Sequence, residues 1–275
     1  MSEVLVVANR TLGGGALLNA VRARAAAGNV SFRLVVPAST PSAGFVIYDE
    51  AVRESAQVRV DLALSVVAEE GITATGEVGD ADPFLATMDA IAERRPDEII
   101  VSTHPAVSSG WLRRDLIERI ENASGLPVEH IVVDLEQHGL PFRATLVVAA
   151  RTLAGEELLE HLKAKAQQGE RHVFIVVVPQ RDGSGVAPSE ARKRLAAMLE
   201  RLRQPGLIAA GMIGDPDPYT AIMNAVDYFY ISEIVISTLP EGSSKWVADK
   251  LVDRVASASN KPVEHIESGV GAGAA

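Results

Sequence analysis

"GDADPFLATMDAIAERRPDEIIVST" occupies residues 79–103, and "GDPDPYTAIMNAVDYFYISEIVIST" occupies residues 214–238. Each begins with Gly-Asp, passes through Asp-Pro into apolar residues at helical spacing, and ends in a short apolar run closed by Ser-Thr. Asp82 and Asp217, each before a proline, are placed to cap a helix whose first turn tolerates that proline. The run after the helix is too short for another helix and apolar throughout, as a strand covered on both faces is. A helix leading into such a strand is half of a βαβ unit, and this chain carries it twice.

The match extends without gaps from 76–131 onto 211–266, with 25 identities in 56 positions. A second anchor lies upstream, where "ANRTL" at 8–12 matches "AARTL" at 149–153. Duplication at this period predicts two complete domains. We place the first at 1–134, a linker at 135–144, the second at 145–268 and a flexible tail at 269–275. In the first copy, strands are expected at 4–8, 31–37, 73–79, 97–103 and 127–133, and helices at 15–28, 49–71, 82–95 and 108–124. Strict alternation of this kind predicts a parallel sheet with helices on both faces, and ligands in such sheets bind beyond the carboxyl ends of the strands where the strand order reverses.

Composition narrows the function. The chain has 275 residues, no cysteine and a formal net charge of −10. Disulfides, thiolate catalysis and cysteine-bound metal are therefore excluded, and a reducing, cytoplasmic setting is expected. Residues 1–138 hold 11 basic and 20 acidic groups, and residues 139–275 hold 15 and 16. Neither half offers the positive surface that nucleic acid requires, and aromatics for base stacking are few. The densest basic run, "RKR" at 192–194, reads as a solvated helix face. No apolar run approaches membrane-spanning length, and the first residues do not read as a signal peptide.

With this strand and helix order, the two Gly-Asp stretches and a fourth helix followed by "PVEHI" in both copies, the chain resembles a universal stress protein in tandem form. The resemblance covers nearly all of both copies. It implies a five-stranded parallel sheet of order 3-2-1-4-5 in each domain and pairing of the two domains through their fifth strands. That would make an intrachain pseudo-dimer, with a homodimer also open. ATP-binding members of that family carry Gly-x-x-Gly, nine residues, then Gly-Ser or Gly-Thr. The matching positions here are Ser102, Pro105, Asp115 and Leu116, and in the second copy Ser237, Pro240, Lys250 and Leu251. None is glycine, and proline has no N–H to offer a phosphate. The aspartate that the family tends to place after its first strand is represented by Asn9 and Ala150.

Candidate ligand- or nucleotide-binding residues follow from these loops: Asn9, Thr11, Gly13 and Gly14 after the first strand, and Val36 at the end of the second. Ser102, Thr103, Ser108, Ser109 and Arg113 follow the fourth strand, as do Ser237, Thr238, Ser243 and Ser244 in the second copy. The serines at 108–109 and 243–244 are explained by helix capping, with anion binding the functional alternative. Capping does not explain why Ser-Thr ends the preceding strand twice. The glycines of "NRTLGGGALL" at 9–18 match no phosphate-loop pattern and read as loop and helix start. Asp80, Asp82, Asp215 and Asp217 read as turn and cap residues, and no metal site is expected. Trp111 and Trp246 read as packed anchors. Glu129, His130, Glu264 and His265, in the repeated "EHI", are expected at an inter-domain seam, where a neighbouring glutamate would raise the histidine pKa. No Ser/His/Asp order or metal-hydrolase motif carries a catalytic assignment. The resulting expectation is a non-catalytic stress-response module that binds a protein partner or small ligand. The alternatives are a nucleotide (ATP or AMP) sensor with a divergent Ser/Thr-rich loop, and a slow nucleotide hydrolase. No cofactor is expected, ATP being the one candidate.

Overall fold

The computed structural model describes residues 2–38, 49–105, 115–180, 187–240 and 245–269, with the side chains of 187, 188, 245 and 248 left aside. Chain contacts divide it into two units, residues 1–40 with 55–141, and residues 41–54 with 142–275.

The first unit contains β1 (Ser2–Val7), α1 (Gly15–Ala26), β2 (Val30–Pro37), α2 (Asp49–Ala68, whose first six residues group with the second unit), β3 (Ala74–Gly79), α3 (Pro83–Glu93), β4 (Glu98–Thr103), α4 (Leu116–Ser124), β5 (Val128–Val132) and α5 (Leu135–His138). The second contains β6 (Arg143–Ala149), α6 (Glu156–Ala166), β7 (His172–Pro179), α7 (Ala187–Arg203), β8 (Ile208–Gly214), α8 (Pro218–Tyr228), β9 (Glu233–Thr238), α9 (Lys245–Ala248), α10 (Leu251–Ser259) and β10 (Val263–Glu267). The stretch expected as a linker thus holds a one-turn helix and the first two residues of β6.

Each unit forms a five-stranded, all-parallel sheet, ordered β3-β2-β1-β4-β5 in the first and β8-β7-β6-β9-β10 in the second, with helices on both faces. Both orders are 3-2-1-4-5 counted within the unit. The order reverses between β1 and β4, where Val7 lies opposite Val101, and between β6 and β9, where Ala149 lies opposite Ser237. The central strands are enclosed as their unbroken apolar runs require: Leu5, Val7, Val35, Ile99 and Val101 pack with Leu116 and Ile120 of α4. Asp82 and Asp217 cap α3 and α8, accepting the N–H of Phe84 at 2.8 Å and of Thr220 at 2.9 Å. Gly79 and Gly214 just before them admit close packing, since a Cβ there would sit 2.6 Å from Cβ of Ala86 and 2.7 Å from Cβ of Ala221.

The fourth helix departs from expectation. It was expected over 108–124, yet α4 starts at Leu116; residues 106–114, with Ser108, Ser109, Trp111 and Arg113, lie outside the described residues. In the second unit the matching stretch is two helices, α9 and α10, with Asp249 and Lys250 between them, and Ser243 and Ser244 also lie outside the described residues. Trp246, expected as a packed anchor, is half-buried. The residue before each helix is left-handed, Asp115 (φ +48°) before α4 and Lys250 (φ +51°) before α10, and in the second unit that turn separates α9 from α10. These are two of the positions at which the resemblance implies glycine, and both hold the left-handed conformation that suits glycine.

A left-handed residue other than glycine costs roughly 1–2 kcal/mol, and the greater freedom of an unfolded glycine takes back about 0.4–1 kcal/mol. Lys250→Gly should therefore raise stability by about 0.5–1 kcal/mol in urea or thermal melts. Asp115→Gly should raise it less, because aspartate tolerates this region better.

Candidate functional site

The loop after β1 reaches across to the end of β4. Leu12 N–H donates to Asn9 O at 3.1 Å, and Gly14 N–H to Thr11 O at 2.9 Å, so the loop is a tight turn. Thr11 is buried and its Oγ1 donates to the Ser102 carbonyl at 3.2 Å. In the second unit, Thr152 Oγ1 donates to the Ser237 carbonyl at 3.0 Å. The repeated Arg-Thr-Leu is thereby explained: its threonine ties the first loop to the fourth strand. Gly13 lies in the turn, while Gly14 lets α1 begin against the end of the sheet, because a Cβ there would lie 2.3 Å from Val133 Cγ1. The Gly14 amide is spent within the turn, which argues against a phosphate cradle.

The repeated Ser-Thr has a partner in the repeated Glu-His. Thr103 Oγ1 donates to the His104 carbonyl at 2.9 Å and lies 2.9 Å from His130 Nε2. A hydroxyl has one proton to give, so His130 must donate through Nε2–H. The second unit repeats this, with Thr238 Oγ1 donating to Leu239 O at 2.9 Å and lying 2.8 Å from His265 Nε2. The glutamates reach the other way. Glu129 accepts from Arg24 of α1, which also holds Glu98 at 2.7 Å. Glu264 accepts from Lys165 of α6 at 2.7 Å and from His161 at 2.8 Å, and Lys165 also holds the buried Glu233 at 2.9 Å. Burial opposes the charge on Lys165, but Glu264 and Glu233 outweigh it and keep its pKa raised. The bonds found for all four "EH" residues thus lie within their own unit. The expected direction of the histidine pKa is corrected as well. Glu129 is engaged by Arg24, and burial pushes His130 below the usual imidazole value.

The two units differ where the order of strands reverses. In the second, Ser237 Oγ donates to Thr152 Oγ1 at 2.9 Å, and Ala150 and Leu239 flank that pair. In the first, Ser102 is 1% exposed and its Oγ has no hydrogen-bond partner among the described residues. The same holds for Oδ1 of Asn9, whose Nδ2 donates to Pro37 O at 3.2 Å, and for Nε2 of His104. His104 is bonded to the backbone of Val133; burial first, and Arg10 second, push its pKa down, so it is neutral and its Nε2 is an acceptor. The sequence points to Asn9 and Ser102, and to His104 only as a member of a candidate anion site in the first copy with Gly13, Gly14, Gly15, Arg113 and Arg114; the second copy has leucine in place of His104. Val36 is wholly enclosed in β2.

The start of α6 is filled from within. Glu157 accepts its own backbone N–H, the Ser268 hydroxyl at 2.8 Å and Gly269 N–H at 3.3 Å, and these bonds lower its pKa. The first-unit counterpart is Ala16, and the first turn of α1 holds no acid. Among the described residues no cluster of His, Asp and Glu suits a metal ion, and no helix is long and apolar enough to cross a membrane.

No family model matches the chain, and no curated protein matches it. Among solved structures it is similar to a universal stress protein from Archaeoglobus fulgidus DSM 4304, at 17% identity and a TM-score of 0.36, over 97% of this chain and 96% of that one. It is also similar to a structure described as "Trehalose-6-phosphate from E. coli bound with UDP-2-fluoro glucose", at 10% identity and a TM-score of 0.22, over 86% of this chain and 84% of the other. A sucrose-phosphate synthase from Thermosynechococcus elongatus matches at 10% identity and a TM-score of 0.20, over 94% and 91%. Likenesses this distant carry nothing about activity.

The asymmetry of the two serines predicts opposite signs. Ser102→Ala removes a buried hydroxyl without a partner and should raise stability by about 1 kcal/mol, while Ser237→Ala breaks a made bond and should lower it by about 1 kcal/mol. Denaturant melts of the two variants check this. The direction of the His130 shift sets a pH dependence. A group whose folded pKa lies below its unfolded value binds fewer protons when folded, so its contribution holds above the unfolded pKa and is lost as pH falls. Lowering the pH from about 7.5 to 5.5, across the imidazole range, should reduce the melting temperature. The fall should be smaller in His130→Gln.

Proposed function

We propose that the chain is a non-catalytic, cytoplasmic module of the universal-stress-protein type, whose first unit holds a small uncharged ligand beyond the carboxyl ends of β1 and β4. One observation carries this reading. Among the described residues, Asn9 Oδ1, Ser102 Oγ and His104 Nε2 lack partners at the end of the sheet where the strand order reverses, while the matching places in the second unit are apolar or satisfied. Buried polar atoms normally have partners, and exceptions gathered in one region call for something to meet them. Two of the three atoms are acceptors only, and the serine is either donor or acceptor. A ligand bearing hydroxyl or amino hydrogens complements that set.

The chemistry around the three atoms disfavours a phosphate. Pro105 has no amide hydrogen, the Gly14 amide is used in its own turn, and Asp134 and Glu136 lie close enough to act on His104. The nucleotide alternative is kept in the form of recognition through the nucleoside, and no group among the described residues supports hydrolysis.

Adenosine, ribose and Mg-ATP separate these readings in thermal-shift titrations. Adenosine or ribose should give a saturable rise, of about 2–4 °C for each kcal/mol of binding linkage. His104→Leu, which writes the second copy's residue into the first, should remove it. Mg-ATP should bind no tighter than adenosine. A shift that depends on the phosphates, or no saturable shift with either adenosine or ribose, would overturn the proposal.

A further inference from the structure

Beside the edge strand β8, the second unit forms a half-open cavity of about 270 Å³. Val177 of β7, Met212 of β8, and Ala221 and Ala225 of α8 give it apolar walls. Asn224 of α8 also lines it, is 9% exposed, and its Oδ1 has no hydrogen-bond partner among the described residues.

The charged groups in the lining are already engaged. Arg192 donates to Glu50 at 2.6 Å and to Glu54 at 3.2 Å, both from the segment that groups with this unit. Glu54 also accepts Ile213 N–H at 3.1 Å, and Asp215 accepts Asp217 N–H at 2.8 Å. An ionic ligand therefore has no free counter-charge among these groups.

The duplication supplies a second, independent observation. Met212, Asn224 and Tyr228 match Glu77, Asp89 and Glu93 of the first copy. Three acidic positions on one side of β3 and α3 have become uncharged on the corresponding side of β8 and α8. Glu77 and Glu93 are well exposed, with side-chain exposures of 43% and 70%, whereas Tyr228 is buried. Where the first copy presents acidic side chains, the second presents uncharged ones that line a half-open cavity.

We infer that this cavity binds a small uncharged ring compound with one hydrogen-bond donor, of the phenol or indole class, which donates to Asn224 Oδ1. The space fits that class. Liquid water takes about 30 Å³ per molecule, so the cavity spans on the order of nine waters, which is room for one fused ring system. Gln180 and Tyr228 also line the space, but among its apolar walls and engaged charges the Asn224 Oδ1 is the acceptor left to orient a ring with one N–H or O–H. The site is separate from the one at β1 and β4 and stands or falls without it.

The test is a titration of the full chain, followed by backbone amide NMR shifts, with indole and phenol as ligands and toluene as the control without a donor. Saturable shifts are expected at Met212, Gly214, Asn224 and Tyr228. The dissociation constant for toluene should be roughly tenfold higher than for indole, as one lost hydrogen bond implies. Asn224→Leu should weaken indole by about the same factor and leave toluene unchanged. The comparison of indole with toluene on the unaltered chain stands even if the variant fails to fold. No saturable shift with either ligand up to about 5 mM, shifts confined to other residues, or equal binding of indole and toluene would overturn the inference.

Discussion

Each unit depends on a central strand paired in parallel on both sides, β1 between β2 and β4, and β6 between β7 and β9. Parallel neighbours cannot be joined by a tight turn, so every crossover must leave the carboxyl end of one strand and pass through a helix to the next. Polar loop residues therefore collect at one end of the sheet, where the strands are most enclosed. Backbone and side-chain groups there need partners, and the nearest ones belong to other loops. The bonds from Thr11 to Ser102 and from Thr152 to Ser237 follow from that geometry.

The fifth strand shows how the duplicated chain keeps the same solution with different chemistry. It lies at the sheet edge, and two side chains hold it from opposite directions: its glutamate to a basic residue near the end of the first helix, its histidine to the threonine that ends the fourth strand. In the first unit the basic residue is arginine, shared between Glu98 and Glu129. In the second it is a buried lysine shared between Glu233 and Glu264, and Thr145 and Arg143 add further bonds to Glu233. An enclosed charge needs such a set of partners, because its loss of solvation is otherwise uncompensated.

Against this shared frame the two units have diverged in opposite senses. Among the described residues, the first leaves polar atoms without partners at the end of β1 and β4. The second satisfies or removes them and fills the start of α6 with the carboxylate of Glu157. Beside the edge strand the pattern reverses: the first unit carries exposed acids, and the second forms a half-open cavity lined by Asn224. A duplication frees each copy from doing everything, and here the polar vacancies have gone to different places.

The duplication, the alternation of strand and helix, and the caps at Asp82 and Asp217 were all legible in the chain by itself, because period, turn chemistry and apolar runs act over a few residues. The strand order was not; periodicity is silent on it, and it entered as what a family resemblance implied. Tertiary structure alone decided which polar atoms would be left unpaired among the described residues, that the bonds of "EHI" found there lie within its own unit, and that Lys250 would break a helix that looked continuous. The reason is distance along the chain. Ser237 finds its partner 85 residues away and Glu264 finds His161 at 103, so whether a buried serine is satisfied depends on loops that meet only after the sheet has formed.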